Sequence, residues 1–288
     1  MKQTLIFCSI LAVTLSGCGG PPAADPVALD KAAADAATAE IEKVRSETRE
    51  WLRSDPESYL AAVDRIDFGQ KAALTVGRAD DNDVRLSSSD IELHHLRITV
   101  SGDRFLVEAV DPKAVFDAGG RTLREAALDP AAIRIGRYRL RLSHQRFPAV
   151  IVFDPEAPRM KAYKGIEYFP VDPAYRYELP LVPDPKQGKM VIVSTRGNPR
   201  SALRVGWFDF RVGATACRLE ATRLLEPGSG GADLSIFFTD ATSGTETYPL
   251  GRYVEAKKLP NGKYLLDFNT AYNPACAFSN FYNCPVPP

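Results

Sequence analysis

The sequence is poor in the residues and patterns that carry most recognisable chemistry. It has three histidines, His94, His95 and His144. Two are sequence neighbours, and neighbours on a strand point to opposite faces, so His94 and His95 do not both face one metal from a regular strand. A structural role for all three is expected, and no metal. No Gly-x-Ser-x-Gly nucleophile elbow occurs; Gly228-Ser229-Gly230-Gly231 follows Pro227 and reads as a flexible turn. A phosphate-cradling Gly-Lys-Ser/Thr loop and a dinucleotide fingerprint are also missing, so no nucleotide cofactor is expected. Net charge is lacking too: 36 basic and 36 acidic residues cancel among 288, which removes any global electrostatic reason to expect nucleic acid as a partner. The apolar run from Leu5 to Leu15 is too short to span a bilayer as a mature helix.

That run belongs to an export segment: Lys2, then the apolar stretch, then small residues ending at Cys18. Leu15-Ser16-Gly17-Cys18 resembles the lipobox of bacterial lipoproteins. The resemblance implies a signal peptide over residues 1–17, cleavage before Cys18 and lipidation of Cys18; a plain secretory signal with a chance cysteine is the alternative. Each buried CH₂ of an acyl chain adds about 0.8 kcal/mol, so several chains anchor stably. Gly19 rather than Asp follows the cysteine, which in lipoproteins of Gram-negative bacteria implies the periplasmic side of the outer membrane. Of five cysteines, Cys8 leaves with the signal and Cys18 takes lipid, leaving Cys217, Cys276 and Cys284 in an oxidising compartment. A Cys276–Cys284 disulfide is expected, with Cys217, in the strand-like run 215–221, as a buried thiol. Pairing of Cys217 with either of the others stays open until the strand neighbours are known. Closing so short a loop adds about 2 to 3 kcal/mol on the chain-entropy model, so its larger role would be to fix the loop after Asn269, Tyr272 and Asn273.

Composition divides the rest. Residues 18–37, rich in Gly, Pro and Ala, read as a tether. A helical lead comes next, over 38–66: Ile41, Val44, Trp51 and Leu52 recur at helical spacing and predict an amphipathic helix from about Ala33 to Arg53, with the charge run from Glu40 to Arg53 as its solvated face. Asp55-Pro56 predicts a restart, with Asp55 as N-cap of a short helix to about Val63. From Ala72 the period changes to two, in Leu96, Ile98, Val100, then Phe105, Val107, Ala109, then Tyr138, Leu140, Leu142. Alternation with turn signals between predicts an antiparallel β-sandwich over 67–154 and a second antiparallel β unit over 155–288, a mostly β fold.

The run VGRADDNDVRLSSSDIELHHLRITV, residues 76–100, resembles the core of a forkhead-associated domain, matching in Gly77, Arg78 and His95. The family binds phosphothreonine peptides through a Ser three residues before the His. Here Glu92 stands there, and a carboxylate repels a dianion. The Asn-Gly loop that reads the peptide is missing from residues 111–120. The resemblance therefore implies the sandwich without phosphothreonine binding, and His95 as a structural residue bonding backbone. Arg137, Arg139 and Arg141 alternate with Tyr138, Leu140 and Leu142 as one basic face, either a stripe for an anionic polymer or, more commonly, a solvated outer face.

Three further segments, EYFPVDPAYRYE, FFTDATSGTETYPLGRY and LLDFNTAYNPACAFSNFYNCPVPP, are similar in order and spacing to the bacterial family called domain of unknown function number 1684. That resemblance runs from about Trp51 to the end and implies no established activity. Members continue past the Cys-Pro-x-Pro-Pro segment into a further strand, so either the sequence is truncated after Pro288 or its second sheet lacks that strand. Residues 267–288 concentrate polar side chains among aromatics and prolines, and supply the candidate ligand-binding residues Asp267, Asn269, Tyr272 and Asn273. Asp240, Thr242, Tyr248 and Arg252 join them from the preceding strand pair, and Tyr168, Phe169, Asp172, Tyr175 and Arg176 are placed nearby. Opposed carboxylates with an arginine and tyrosines suit a small polar ligand, and a buried polar network locking loops to the sheet accounts for them equally. The expected function is non-catalytic binding of a small polar envelope ligand, glycan fragment or protein partner. The alternative is a hydrolase using Asp240 or Asp267 as acid or base.

Overall fold

A computed structural model describes residues 23–186, 188–226 and 233–287. The lipobox and signal segment, Cys18 and the Gly228 to Gly231 turn lie outside them. The described chain is mostly β, with a forkhead-associated-like sandwich, a second antiparallel sheet and one long N-terminal helix.

The helix, Lys31–Ser54, starts where the Asp30 carboxylate accepts from the Ala33 N–H. Residues 31–37, given to the tether by composition, are its first turns, because an alanine-rich run is also the best helix former. Upstream, Ala24 bridges Phe210, and the Val27 N–H donates to the Arg176 carbonyl. The helix ends at Asp55, which caps its C-terminus rather than starting a second helix. A single 3₁₀ turn, Tyr59–Ala61, leads from there into strand Ala62–Asp67. The sandwich thus begins at Ala62, inside the expected helical lead, because that strand pairs with Ala149–Phe153.

The sandwich has a six-stranded sheet, in the order Ala62–Asp67, Ala149–Phe153, Tyr138–Ser143, Ala132–Ile135, Phe116–Ala118, Arg121–Leu123. Its other sheet has five strands, Val84–Arg85, Ala73–Gly77, Leu96–Ser101, Arg104–Ala109, Glu125–Leu128. The period-two residues face inward: Leu96, Ile98, Phe105, Val107, Leu140 and Leu142 are all buried in one core. Gly77 is required by space, since a Cβ there would lie 2.2 Å from the Leu93 carbonyl oxygen. His95 is buried and takes the backbone role expected: its Nδ1 accepts from the Glu92 N–H at 3.1 Å and its Nε2 lies 2.9 Å from the Val115 carbonyl. Two arginines of the basic stripe are tied down, Arg137 on Asp154 and Glu156 at 3.0 Å each and Arg141 on Glu57 at 3.7 Å.

The second unit is one eight-stranded sheet. Its order is Arg176–Leu179, Tyr264–Asp267, Arg252–Lys258, Leu234–Phe238, Thr215–Leu224, Pro199–Val212, Val182–Pro183, with Lys189–Val193 also on Pro199–Val212. A third core joins the units: Ala61, Ala62, Ile151 and Phe153 pack with Ile192, Ala202, Phe237, Tyr253, Tyr282 and Cys284. Cys276 and Cys284 form a disulfide with a Cα–Cα separation of 6.2 Å, while Cys217 is buried in the sheet core.

Candidate functional site

Between the helix and the second sheet lies a cavity of about 1100 Å³. The helix supplies Val44, Arg45, Thr48, Trp51 and Leu52, and the sheet supplies Phe210, Val212, Leu219 and Phe238. Phe268 forms the floor: its ring lies 5.5 Å from Phe210 and 5.4 Å from Phe238, close enough for aromatic contact. Residues 166–170, Asp172 and Tyr175 make one side. Tyr59, Tyr272 and Phe278 make another.

The disulfide reaches this wall. Phe278 sits within the closed loop, its ring 5.7 Å from Tyr59, and Tyr59 stands edge-on to Trp51 at 4.8 Å and to Tyr282 at 5.2 Å. The Thr195 hydroxyl braces the bridge from outside, 3.1 Å from the Cys276 Sγ, while accepting from the Cys284 N–H at 3.1 Å.

Of the eight candidate ligand residues, Asp240, Thr242, Arg252, Asn269, Tyr272 and Asn273 line the cavity; Tyr248 and Asp267 do not. Most of their polar atoms are bonded within the protein; Asn273 Oδ1 and Arg252 Nε are buried without a partner among the described residues. Asp240 is paired with Arg252 and accepts from the Thr242 N–H at 2.9 Å and the Thr242 hydroxyl at 2.6 Å. Asp267 is buried against Arg176 at 2.5 Å and accepts from the Asn269 backbone and side chain at 3.0 and 2.8 Å. Asn269 continues the network to Asp172, accepting from its N–H at 2.8 Å and donating to its carbonyl at 2.9 Å. Tyr272 donates to Glu255 at 3.0 Å. Asp267 is thus a pin behind the wall: burial of a carboxylate requires partners, and its partners are all protein groups.

Sequence reasoning missed Arg45. Its charge places it on the solvated face of the helix, yet it is 7% exposed, whereas Val44, part of the expected apolar stripe, is 49% exposed at the cavity. Arg45 donates to the Phe169 carbonyl at 3.0 Å, the Asn269 carbonyl at 3.1 Å and Glu42 at 2.8 Å, and stacks over Tyr168 at 4.8 Å. Arg49 shares that ring, also at 4.8 Å, and holds the Ile166 carbonyl at 3.1 Å. Position 45 lies four residues beyond Ile41, which was the available signal; its charge concealed it.

Electrostatically the mouth is acidic. Glu167, Asp172 and Glu246 line it and are exposed. The Tyr175 phenol is pushed above its ordinary pKa by burial first and then by the charges of Asp172 and Asp240. Among the described residues there is no group of three or more His, Cys, Asp or Glu placed to hold a metal.

Residues 161–288, most of the unit that builds this cavity, match the family model described as protein of unknown function (DUF1684). The second unit belongs to DUF1684. Residues 74–116 match the FHA domain model, so an FHA-like sandwich precedes that unit. No curated protein matches it. Among solved structures, an uncharacterised protein of Haloarcula marismortui is 30% identical over 47% of this chain and 75% of its own, at a TM-score of 0.37. The N-terminal FHA domain of S. cerevisiae Rad53p, solved with a phosphothreonine peptide, is 16% identical over 35% of this chain and 79% of its own, at 0.22. Mycobacterium tuberculosis EmbR, in complex with a low-affinity phosphopeptide, is 20% identical over 44% of this chain and 32% of its own, at 0.23.

Proposed function

We propose that this chain is a non-catalytic binding protein, held by lipid at Cys18 on the periplasmic side of the outer membrane, with the cavity between helix and second sheet as its ligand site. One observation carries the choice of binding over hydrolysis. Each carboxylate a hydrolase would use is clamped by its own arginine, Asp240 by Arg252 and Asp267 by Arg176, and Asp267 does not line the cavity. Both oxygens of each carboxylate already accept from protein donors, Asp240 from Thr242 and Arg252 and Asp267 from Asn269 and Arg176, so neither is left to take a proton from water or substrate. Most of the side chains that pointed to a small polar ligand are bonded within the protein, with Asn273 Oδ1 and Arg252 Nε left unpaired among the described residues, and the rest of the wall is largely aromatic and aliphatic. Aromatic-walled concavities with a few polar groups are the usual form of small-molecule sites.

Thermal-shift screening of the chain from Gly19 against envelope metabolites and cell-wall fragments tests this. A stabilising ligand should lose its effect in Leu219→Trp, which fills the cavity from the sheet side. Ligands that act equally on that variant, or turnover of any screened compound that Asp240→Asn abolishes, refute the reading. Lipidation is tested by Cys18→Ala, which should leave the detergent-requiring membrane fraction; unchanged fractionation refutes it.

The same proposal gives the FHA-like unit no phosphothreonine role. The Glu92 carbonyl accepts from the Arg78 N–H at 3.0 Å, so the residue beside Arg78 carries a carboxylate, and the Arg78 Nε is turned to the Ile91 carbonyl at 3.2 Å. Micromolar binding of a phosphothreonine peptide, lost on dephosphorylation, would overturn this.

A further inference from the structure

The chemistry of the occupant can be read further from what the cavity leaves unsatisfied. Its volume of about 1100 Å³ is slightly above the range, about 300 to 1000 Å³, that encloses a drug-sized molecule. A small polar metabolite would leave most of the wall formed by Trp51, Phe210, Val212, Leu219, Phe238 and Phe268 against water. An apolar chain or ring system covers it.

Charge then selects the head group. Both arginines in the lining are committed within the protein: Arg45 to two backbone carbonyls and Glu42, Arg252 to Asp240 and Thr242. Each therefore has its charge matched within the protein, by Glu42 and by Asp240, so neither adds uncompensated positive charge to the lining, although the Nε of each is left without a partner among the described residues. The acids are the reverse case. Glu167, Asp172 and Glu246 are exposed at the mouth, and none of the three is in an ion pair among the described residues. Asp172 uses one oxygen on the Ala174 N–H at 2.9 Å. Two large aromatic side chains of the same lining remain open to solvent, Phe169 at 40% and Tyr272 at 41%; the Arg252 guanidinium already lies 5.9 Å from the Phe169 ring, so Tyr272 offers the ring without a cation among the described residues. Aromatic faces together with carboxylates attract ammonium groups, and the attraction is strongest for cations that are poorly hydrated.

Resting on the binding reading above, we propose that the cavity takes a cationic amphiphile, its apolar chain or ring system among the interior aromatics and its protonated amine or quaternary ammonium at the mouth formed by Glu167, Asp172 and Glu246. Anionic amphiphiles meet the same apolar wall but an uncompensated acidic rim, and neutral ones meet the wall without gain at the rim.

The test uses the mature chain, residues 18–288, with Cys18→Ser so that no acyl chain of its own competes, and Trp207→Phe. Trp207 stacks with Arg204 away from the cavity, and the sequence has two tryptophans, so Trp51 in the wall becomes the sole tryptophan reporter. Decyltrimethylammonium, decyl maltoside and decanoate are titrated below their micelle concentrations, with tetramethylammonium as the chainless head. The ammonium amphiphile should bind at least about tenfold tighter than decyl maltoside, and tighter still relative to decanoate. Raising the salt should shrink the preference. Combined Glu167→Gln, Asp172→Asn and Glu246→Gln should erase the preference while leaving decyl maltoside binding in place, and Asn at 172 keeps the acceptor for the Ala174 N–H. Equal or tighter binding of decanoate or decyl maltoside overturns the head-group assignment but leaves the binding reading standing. Tetramethylammonium matching the decyl compound overturns the apolar chain. Failure of all four probes, while a screened ligand still stabilises in a manner lost in Leu219→Trp, overturns the amphiphile and not the cavity; failure of both kinds of ligand overturns both.

Discussion

Replacing Arg45 with methionine should destabilise this protein more than any other single change on the surface of its long helix. Methionine keeps the apolar stem and removes the guanidinium. The lost interactions are a charged donor to two carbonyls, Phe169 at 3.0 Å and Asn269 at 3.1 Å, and the stack on Tyr168. Hydrogen bonds to charged groups contribute about 1.5 to 3 kcal/mol each, and the two carbonyls would be left wholly or partly unpaired. The stack adds about 0.5 to 2 kcal/mol. These terms overlap, and water can reach a half-open cavity, so the net loss is set at about 3 to 5 kcal/mol, a large fraction of a stability of about 5 to 15 kcal/mol. Urea denaturation at constant m-value measures it. Hydrogen exchange should quicken over residues 166–170 and 268–271, the two segments that Arg45 ties to the helix. Arg49→Met is the comparison: it is half-buried, holds one carbonyl, at 3.1 Å, and shares the Tyr168 ring, so with solvent competing a smaller loss of about 1 to 2 kcal/mol is expected. A loss below about 1 kcal/mol for Arg45→Met, or one no larger than that of Arg49→Met, refutes the clamp.

The disulfide and one ion pair give further expected outcomes. Cys276→Ser with Cys284→Ser should cost about 2 to 3 kcal/mol by the chain-entropy account and should also weaken ligand binding, because Phe278 in that loop lines the cavity. Non-reducing peptide mapping should show the 276–284 link, and a cross-link containing Cys217 would count against it. The Asp184 carboxyl is held below its ordinary range by the Lys186 N–H and then by the Arg204 guanidinium. A lowered folded pKa means that its stabilisation is fully present above the unfolded value of about 3.9 and is lost as pH falls from there through the folded value. The stability gap between the natural protein and Asp184→Asn should therefore close in acid denaturation below about pH 4, and a gap that does not change with pH refutes the role.

Much of the architecture is local enough to be legible in the chain. Alternation at Leu96, Ile98 and Val100 and at Tyr138, Leu140 and Leu142 dictates strands with one buried face, since period two admits no other way to hide those side chains. The disulfide was legible for a similar reason: two cysteines eight positions apart bracket a loop short enough to close on itself. Boundaries were less legible. Residues 31–37 carry a composition that serves either a tether or a helix, and what the chain around them meets, with the Ala24 bridge to Phe210 and the Asp30 cap, settles the matter. Likewise Asp55-Pro56 offers a helix start, but the pairing of Ala62–Asp67 with Ala149–Phe153 claims the residues as strand.

The site divides along the same line. Sequence by itself determined which residues are chemically able to line a pocket, and six of the eight candidates do. It could not determine what each polar group would be bonded to, because hydrogen-bond partners are set by contacts across long separations. Arg45 reaches carbonyls 124 and 224 positions away, and Asp267 meets Arg176 across 91. Only the tertiary structure decided that Asp240 and Asp267 are neutralised from within, that a charged residue of the helix is buried while its apolar neighbour stands at the cavity, and that the acids left over gather at one mouth. The physical reason is that a side chain's type fixes what it can bond, whereas burial and the groups folded against it fix what it does bond.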